Sequence, residues 1–222
     1  MREVCVFDVN ETLLDLGAMD PHFERIFGDP QVRRLWFGQF LQSALVSTVT
    51  GVYTDFGRVG MAALDMTAER AGVRLTDDDR DAVREQMTRL PPHPEVAGAL
   101  ARLRDAGVRL ASLTNSTLRV AEAQLGNAAI IDLFEQVLSA DTVRRLKPAP
   151  EPYRMAAERL GVGVGEVRLV AAHSWDVAGA LRAGCAAAFV ARPGAVLDPL
   201  VERPDIVGGD LDEVAGQVLA RA

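Results

Sequence analysis

The sequence predicts an α/β fold in which a doubly wound parallel sheet carries a helical cap domain, inserted after the first strand. Short apolar runs alternate with amphipathic segments along residues 91–222, as in successive strand–helix–strand units. A further apolar run, residues 3–7, lies near the N-terminus, and residues 15–90 have helical periodicity instead. We therefore expect a core domain of residues 1–14 plus 91–222 and a cap domain of residues 15–90.

The cap is predicted to contain helices. One begins near Asp29 and repeats large apolar residues at spacings of three and four. These residues are Trp36, Phe37, Phe40, Leu41 and Leu45. Another covers residues 55–69, and a third is capped by Thr76, with three aspartates in its first turn, where the helix dipole favours them. The proline-rich segment 90–94 ends this pattern, as expected of a linker.

The core is predicted to alternate strands and helices. The strands are placed at 3–7, 108–113, 136–138, 167–172 and 187–191. The helices are placed at 95–105, 116–125, 151–160 and 177–183, and a final helix ends the chain. The glycines of segment 161–165 are not interpreted as a dinucleotide-binding loop, because that loop follows a strand and precedes a helix, and here the order is reversed.

The composition restricts the partners. The net charge of −7 leaves no basic surplus to neutralise phosphates, so we expect no nucleic-acid and no membrane partner. No apolar run approaches the ~20 residues that span a bilayer, and the N-terminal run ends at Asp8, too early for a signal peptide. Cys5 and Cys185 are expected to be buried free thiols. These features favour a cytoplasmic protein that acts on a small molecule.

Polar side chains follow four of the predicted strands. Asp8 follows the first strand, Thr114 and Asn115 follow the second, Lys147 lies in the loop after the third, and residues 173–176 follow the fourth. Ligands of open parallel sheets bind beyond the carboxyl ends of the strands. One polar residue at a strand end is most often a helix cap. Four successive strand ends that offer carboxylates, an amide and an amine indicate an active site.

This set of motifs, in this order, resembles the haloacid dehalogenase superfamily. Residues 7–13 resemble its first motif, in which the leading Asp is the nucleophile, and residues 113–116 resemble the second. Residues 146–148 resemble the third motif and residues 170–176 the fourth. The resemblance covers the whole chain, cap included. It implies a Rossmann-like core and assigns Asp8 as the nucleophile.

The residues within these motifs separate the two main activities of the superfamily. Its phosphatases carry a second Asp two places after the nucleophile as an acid/base, whereas this chain has Asn10, which cannot deliver a proton. They also hold Mg²⁺ with a pair of acids in the fourth motif, where this chain has only Asp176, with Ala172 four residues earlier. The resemblance is therefore to the type II 2-haloacid dehalogenases and implies no metal and no cofactor. A Mg²⁺-dependent small-molecule phosphatase and a non-catalytic metabolite-binding protein are the alternatives.

The resemblance implies a role for each site residue. Asp8 attacks the halogen-bearing carbon to form an ester, and Lys147 keeps Asp8 ionised. Asp176 orients or deprotonates the hydrolytic water, with help from His173. The expected catalytic residues are Asp8, Thr12, Lys147, His173 and Asp176. The expected substrate-binding residues are Asn10, Phe37, Leu41, Phe56, Thr114, Asn115, Tyr153 and Trp175, and Phe40 and Leu45 are expected to extend the apolar wall.

The chain departs from the type II pattern at two places. His173 occupies a position where Asn is usual, and Phe37, after Trp36, occupies the position of an Arg that receives the departing halide. Arg33 precedes Phe37 by one helical turn, and we hypothesise that it reaches the site instead. The resemblance also implies a homodimer.

Overall fold

The computed structural model describes residues 4–221, and within that range it contains one six-stranded parallel sheet. The strands are β1 Val4–Phe7, β2 Arg109–Thr114, β3 Gln136–Ser139, β4 Val167–Ala171, β5 Ala186–Val190 and β6 Ile206–Gly208. Their spatial order is β3-β2-β1-β4-β5-β6. The direction of winding therefore reverses at β1, and this switch point is where doubly wound sheets bind ligands.

Helices occupy segments between these strands and after the last one. They are α1 Asp20–Phe27, α2 Val32–Thr50, α3 Phe56–Ala71, α4 Asp77–Thr88, α5 Val96–Asp105, α6 Leu118–Asn127, α7 Pro150–Leu160, α8 Ser174–Ala183 and α9 Leu211–Leu219. In the described chain, α1 to α4 follow β1 with no strand among them. None of the described helices is both long enough and apolar enough to cross a bilayer.

The α/β fold class and the parallel sheet are confirmed, with differences at some boundaries. Helix α1 and strand β6 were not predicted, because α1 has only eight residues and β6 has only three. Helix α8 begins at Ser174 rather than at 177, so that Asp176 lies in its first turn. Residue Glu3 of the predicted first strand lies outside the described residues. Cys5 and Cys185 are buried, and neither forms a disulfide in the described chain, as predicted.

Two hydrophobic clusters cover the two faces of the sheet. Cys5 and Phe7 of β1 belong to one cluster, and Val4 and Val6 belong to the other, as the alternation of side chains along a strand requires. The first cluster continues into α1 to α4, where it includes Phe23, Trp36 and Val83. These helices therefore share one apolar cluster with β1.

The close approach of α8 to the start of α7 depends on a glycine. A Cβ atom at Gly179 would lie 2.5 Å from Tyr153 Oη and 2.6 Å from Pro148 Cβ. We expect Gly179→Ala to destabilise the protein by about 1–3 kcal/mol in urea unfolding, because the buried helix must move away from its neighbour. Gly38→Ala is the matched control: Gly38 is exposed within α2, and a Cβ atom there would meet nothing within 4 Å. This control should stabilise the protein by about 0.5–1 kcal/mol; equal effects of the two changes would contradict the packing argument.

Candidate active site

Asp8 is held at the switch point by hydrogen bonds to both of its carboxylate oxygens. Its backbone N–H donates to the Val170 carbonyl (3.0 Å), which extends the sheet by one residue beyond β1. Thr12 Oγ1 donates to Asp8 Oδ2 (2.6 Å) and accepts from the Ala172 N–H (2.9 Å). Because the Ala172 amide donates to the hydroxyl, the hydroxyl proton is directed at Asp8. The carboxylate therefore has a fixed orientation.

Lys147 is completely buried and uses all three ammonium protons. Its Nζ donates to Asp8 Oδ1 (2.9 Å), to Asp176 Oδ2 (2.6 Å) and to the Leu113 carbonyl (2.8 Å). The Asn115 side chain holds the Lys147 backbone: its Oδ1 accepts from the Lys147 N–H (2.7 Å), and its Nδ2 donates to the Lys147 carbonyl (3.3 Å). The ammonium group is thus fixed between two carboxylates.

Asp176 completes this buried cluster from the first turn of α8. Its Oδ2 accepts from Lys147, and its Oδ1 accepts from the hydroxyl of Tyr153 on α7 at 2.5 Å. Both oxygens of Asp176 therefore have strong donors inside the protein, which a buried carboxylate requires. We call Asp8, Lys147 and Asp176 the buried charge cluster.

The two carboxylates of the buried charge cluster have pKa values shifted in opposite directions. Burial by itself raises the pKa of Asp8, but Lys147, His173 and the Thr12 hydrogen bond outweigh it, so the pKa of Asp8 is lowered from its ordinary value. Burial, with the charge of Asp8, raises the pKa of Asp176 despite Lys147. Burial by itself lowers the pKa of Lys147. The two carboxylates outweigh burial, so the pKa of Lys147 is raised above its ordinary value. Asp8 is therefore the carboxylate that the site keeps ionised.

His173 lies between aromatic rings, close to Asp8. Its Nε2 is 3.2 Å from the Asn10 carbonyl oxygen and 3.8 Å from Asp8 Oδ2. A carbonyl oxygen only accepts, so Nε2 carries a proton in this arrangement. The imidazole stacks on the Trp175 ring, with centroids 5.3 Å apart, and contacts Phe37 on its other side, with centroids 5.9 Å apart.

Two adjoining cavities lie beside the buried charge cluster. The catalytic cavity has a volume of about 10 Å³, which is close to the space for a single water. It is lined by Asp8, Asn10, Phe37, Leu41, Phe56, Thr114, Asn115, Lys147, His173 and Trp175. The larger cavity, which we call the antechamber, measures about 610 Å³ and shares Leu41, His173 and Trp175 with the first. Phe37 and Leu41 of α2 and Phe56 of α3 form the apolar side of the catalytic cavity.

The structure brings most of the predicted site residues to the catalytic cavity and changes the position of others. The predicted substrate contact Tyr153 lies behind Asp176, because its hydroxyl is bonded to that carboxylate. Leu45 does not line the cavity and is 36% exposed, since it lies one turn beyond Leu41. Phe40 lies behind Phe56, with ring centroids 4.2 Å apart. Of the apolar side chains predicted to form the wall, Leu41, Phe56 and Trp175 line the cavity.

The polar groups predicted around the site also have additional partners. Asn10 Oδ1 accepts from Gln124 Nε2 at 3.0 Å, which orients the amide. Arg33 lines the antechamber rather than the catalytic cavity, and its Nε donates to Asp20 Oδ1 at 2.5 Å. Among residues 4–221, no group of three or more His, Cys, Asp or Glu side chains is arranged to hold a metal ion.

Two residues that support the site, Arg192 and Gln124, were not predicted from the sequence. Arg192 donates from Nε and Nη2 to the Thr12 carbonyl, at 3.2 and 2.8 Å, and fixes the loop that carries the nucleophile. Its place just after β5 was the available signal, because it is another strand end. Gln124, on the buried face of α6, gave no signal, since nothing in the sequence indicates that it contacts Asn10.

Comparisons with known proteins agree with this geometry. A family model for haloacid dehalogenase-like hydrolases matches residues 3–184. The (S)-2-haloacid dehalogenase 2 of Pseudomonas sp. (strain CBS-3) is 30% identical over 218 residues, 96% of this chain and 95% of that protein. The haloacetate dehalogenase H-2 of Moraxella sp. (strain B) is 30% identical, over 96% of each chain. The structure of L-2-haloacid dehalogenase from Xanthobacter autotrophicus with chloropropionic acid covalently bound has a TM-score of 0.93 and 28% identity, over 100% of both chains.

The hydroxyl of Tyr153 is expected to stabilise the buried charge cluster. Tyr153→Phe leaves Asp176 Oδ1 without its donor and raises the pKa of Asp176 further, because that hydrogen bond favours the ionised form. We expect a loss of about 1.5–3 kcal/mol in the free energy of unfolding, measured in urea at neutral pH. Tyr53→Phe is the control: its hydroxyl donates to Asp141 in a half-buried place, so the loss should be ~1 kcal/mol. A larger loss for Tyr53→Phe would refute the assignment.

Proposed function

The chain belongs to the haloacid dehalogenase-like hydrolases, and we propose that it is a hydrolytic dehalogenase that converts a short 2-haloacid to the 2-hydroxy acid through an ester of Asp8. One observation carries this proposal. Asp8 is held ionised by Lys147 in a cavity closed by apolar cap residues, and the places that would supply a proton or a second metal ligand hold Asn10 and Ala172. This arrangement suits attack on carbon and lacks what phosphoryl transfer requires.

The choice between the two leaving groups depends on proton supply. An alcohol that leaves phosphorus must receive a proton, and the amide of Asn10, bonded to Gln124, cannot give one. A halide leaves as a stable anion and needs no proton. The residues of this cavity therefore favour carbon–halide cleavage, and the alternative of a phosphatase is not supported.

In the first step, a carboxylate oxygen of Asp8 forms a bond to the carbon that bears the halogen. The carbon–halogen bond breaks, and the halide leaves with the bonding electron pair, so no proton moves. Lys147 keeps Asp8 ionised for this attack. The lining also offers donors for the substrate carboxylate or the halide, among them the Thr114 hydroxyl, which accepts from the Ser116 N–H, and the buried Trp175 Nε1–H, which has no hydrogen-bond partner among the described residues.

In the second step, water attacks the carbonyl carbon of the Asp8 ester. The bond between that carbon and the substrate oxygen breaks, the 2-hydroxy acid leaves, and the carboxylate of Asp8 re-forms with one oxygen from water. Both protons of the water must move. We assign the first to Asp176, which takes it from the attacking water and returns it to the departing substrate oxygen as the hydroxyl of the 2-hydroxy acid, with His173 holding the water close to Asp8 Oδ2. The second proton is released to solvent when the new carboxyl group of Asp8 ionises.

The cap supplies the dry environment for both steps. We propose that residues 15–90 move as a cap relative to residues 1–14 plus 91–222, because the apolar lid of Phe37, Leu41 and Phe56 leaves the catalytic cavity too small for a haloacid. Closing the lid excludes bulk water and strengthens the charges inside. A homodimer and a cytoplasmic location, which the resemblance also implies, stay predictions.

The ester route predicts that replacing Asp8 and replacing Asp176 block different steps of the reaction. Asp8→Asn should release no halide from a panel of 2-haloacids, because the amide is not a nucleophile. Asp176→Asn should release close to one equivalent of halide per site and then stall, because the ester forms but is not hydrolysed. Halide is measured by rapid quench and ion chromatography, with and without a chelator.

Isotope labelling supplies the control for this prediction. One turnover of the wild-type protein in H₂¹⁸O should place the label in Asp8, detected by peptide mass spectrometry, and the first hydroxy acid released should be unlabelled. Label in the product instead would show direct attack by water on carbon. Chelator-sensitive cleavage of phosphate esters, without halide release, would support the phosphatase instead.

Because the pKa values of Asp8 and Asp176 are shifted in opposite directions, the halide burst and steady-state turnover should be lost at different pH values on the acid side. The lowered pKa of Asp8 keeps the nucleophile ionised as the pH falls through the ordinary Asp range, so the halide burst should persist below pH 3.8. The raised pKa of Asp176 means that the base is protonated at a higher pH, so steady-state turnover should fall above pH 3.8. Burst amplitude and kcat are measured across the same pH series, with circular dichroism to confirm folding. Coincident acid limbs would contradict the separate roles.

A further inference from the structure

Glu11 has a backbone conformation that side chains rarely adopt. Its φ angle is +60°, in the left-handed region that favours glycine. Both of its backbone groups are fixed: its N–H donates to the Leu14 carbonyl (2.9 Å), and its carbonyl accepts from His93 Nε2 (3.0 Å). Glycine would make both bonds without strain. The turn itself therefore gives no reason for a glutamate at this position.

The side chain of Glu11 connects the cap to the catalytic residues. Its Oε2 lies 3.7 Å from His173 Nε2, which is in turn 3.8 Å from Asp8 Oδ2. Its Oε1 lies 3.9 Å from Nη1 of Arg33 on α2, whose Nε is bonded to Asp20. A row of alternating charged or ionisable groups thus runs from Asp20 through Arg33, Glu11 and His173 to the nucleophile. The Arg33 and His173 side chains are nearly buried, whereas those of Glu11 and Asp20 are 33% and 38% exposed, so water screens the row only from the side of the two carboxylates.

Attraction of the substrate does not explain Glu11 either. Its carboxylate lines the antechamber, where a negative charge repels an incoming haloacid anion. His173, Arg33 and Arg34 face this carboxylate and favour its ionised form, whereas Asp8 opposes it. Burial is the largest influence, and the pKa of Glu11 is raised from its ordinary value. Backbone strain and an unfavourable charge at a site entrance point to a role in function.

We propose that Glu11 is a positioning residue, which holds His173 beside Asp8 and links that position to the closed cap through Arg33. The inference rests on the proposed function for its catalytic part. The ring of His173 lies near those of Trp175 and Phe37, and its Nε2 lies 3.2 Å from the Asn10 carbonyl oxygen and 3.7 Å from Glu11 Oε2, so these two groups position that nitrogen. When the cap moves with α2, Glu11 loses its cation, and His173 loses part of its support.

Replacement by glycine separates the strain from the function. Glu11→Gly relieves the left-handed φ angle and should raise Tm by about 2–4 °C, while kcat for halide release should fall by at least ~10-fold, a barrier increase of about 1.4 kcal/mol. Ala129→Gly is the matched control, because Ala129 is exposed, has a φ of +55° and lies outside both cavities. It should raise Tm similarly and leave kcat unchanged. An active Glu11→Gly enzyme would overturn the proposal.

Replacement by glutamine keeps the strain and removes the charge. Glu11→Gln should lower kcat by at least ~10-fold, and KM should stay the same or fall, because the repulsion of the substrate anion in the antechamber is removed. If Glu11 served only the fold, Glu11→Gln would lower Tm and leave kcat unchanged. That second pattern would refute a positioning role.

A double-mutant cycle tests the bridge without any substrate. Glu11→Gln, Arg33→Gln and the double variant are compared by their urea midpoints, and the two shifts should be non-additive because each change removes the same interaction. Additive midpoints would overturn the bridge between core and cap. A wild-type protein that releases no halide would overturn the proposed function and the catalytic part of this inference, while the cycle would still decide the bridge.

Discussion

The site depends on one buried ammonium group shared between two buried carboxylates. Lys147 cannot be left without Asp8 and Asp176, since an unpaired charge in this interior is expected to destabilise a fold by about 3–5 kcal/mol. The same pairing separates the two carboxylates chemically, because Asp8 has additional donors and a lowered pKa, while the pKa of Asp176 is raised. The interaction that keeps the cluster folded therefore also selects the nucleophile.

The surrounding fold is arranged to hold that cluster in place. Asn115 fixes the backbone of Lys147, Tyr153 fixes Asp176, and the small size of Gly179 lets α8 approach Tyr153 closely enough for this bond. These supports come from three different strand–helix units. A shift of any one unit changes the distances around Lys147, so the doubly wound sheet acts as a template for the charges. Asp8 lies directly after β1, Lys147 in the loop between β3 and α7 and Asp176 in the first turn of α8, so the three groups meet beyond the carboxyl ends of the strands.

The sequence was sufficient to predict the fold class and the residues at the strand ends, because both follow from order along the chain. Asp8 and Lys147 come together for the reason that carboxyl ends of parallel strands share one edge. The direction in which a side chain points does not follow from the order of residues along the chain. Tyr153 was placed beside the substrate, although its hydroxyl faces Asp176, and Glu11 was passed over because its φ angle depends on contacts from distant residues. The short strand at 206–208 offers too few residues for any periodicity.

A closed, almost dry site imposes its own choice of chemistry. In such a cavity a proton donor is difficult to replace from solvent, and a reaction whose leaving group needs no proton has an advantage. Carbon–halide cleavage meets this condition in its first step, and only the later hydrolysis needs a water and a base. His173 and Trp175 lie on the wall between the catalytic cavity and the antechamber, where that water must enter. The wall that excludes water during attack must therefore admit one molecule afterwards, which places the control of turnover at the side chains that Glu11 and the cap hold in position.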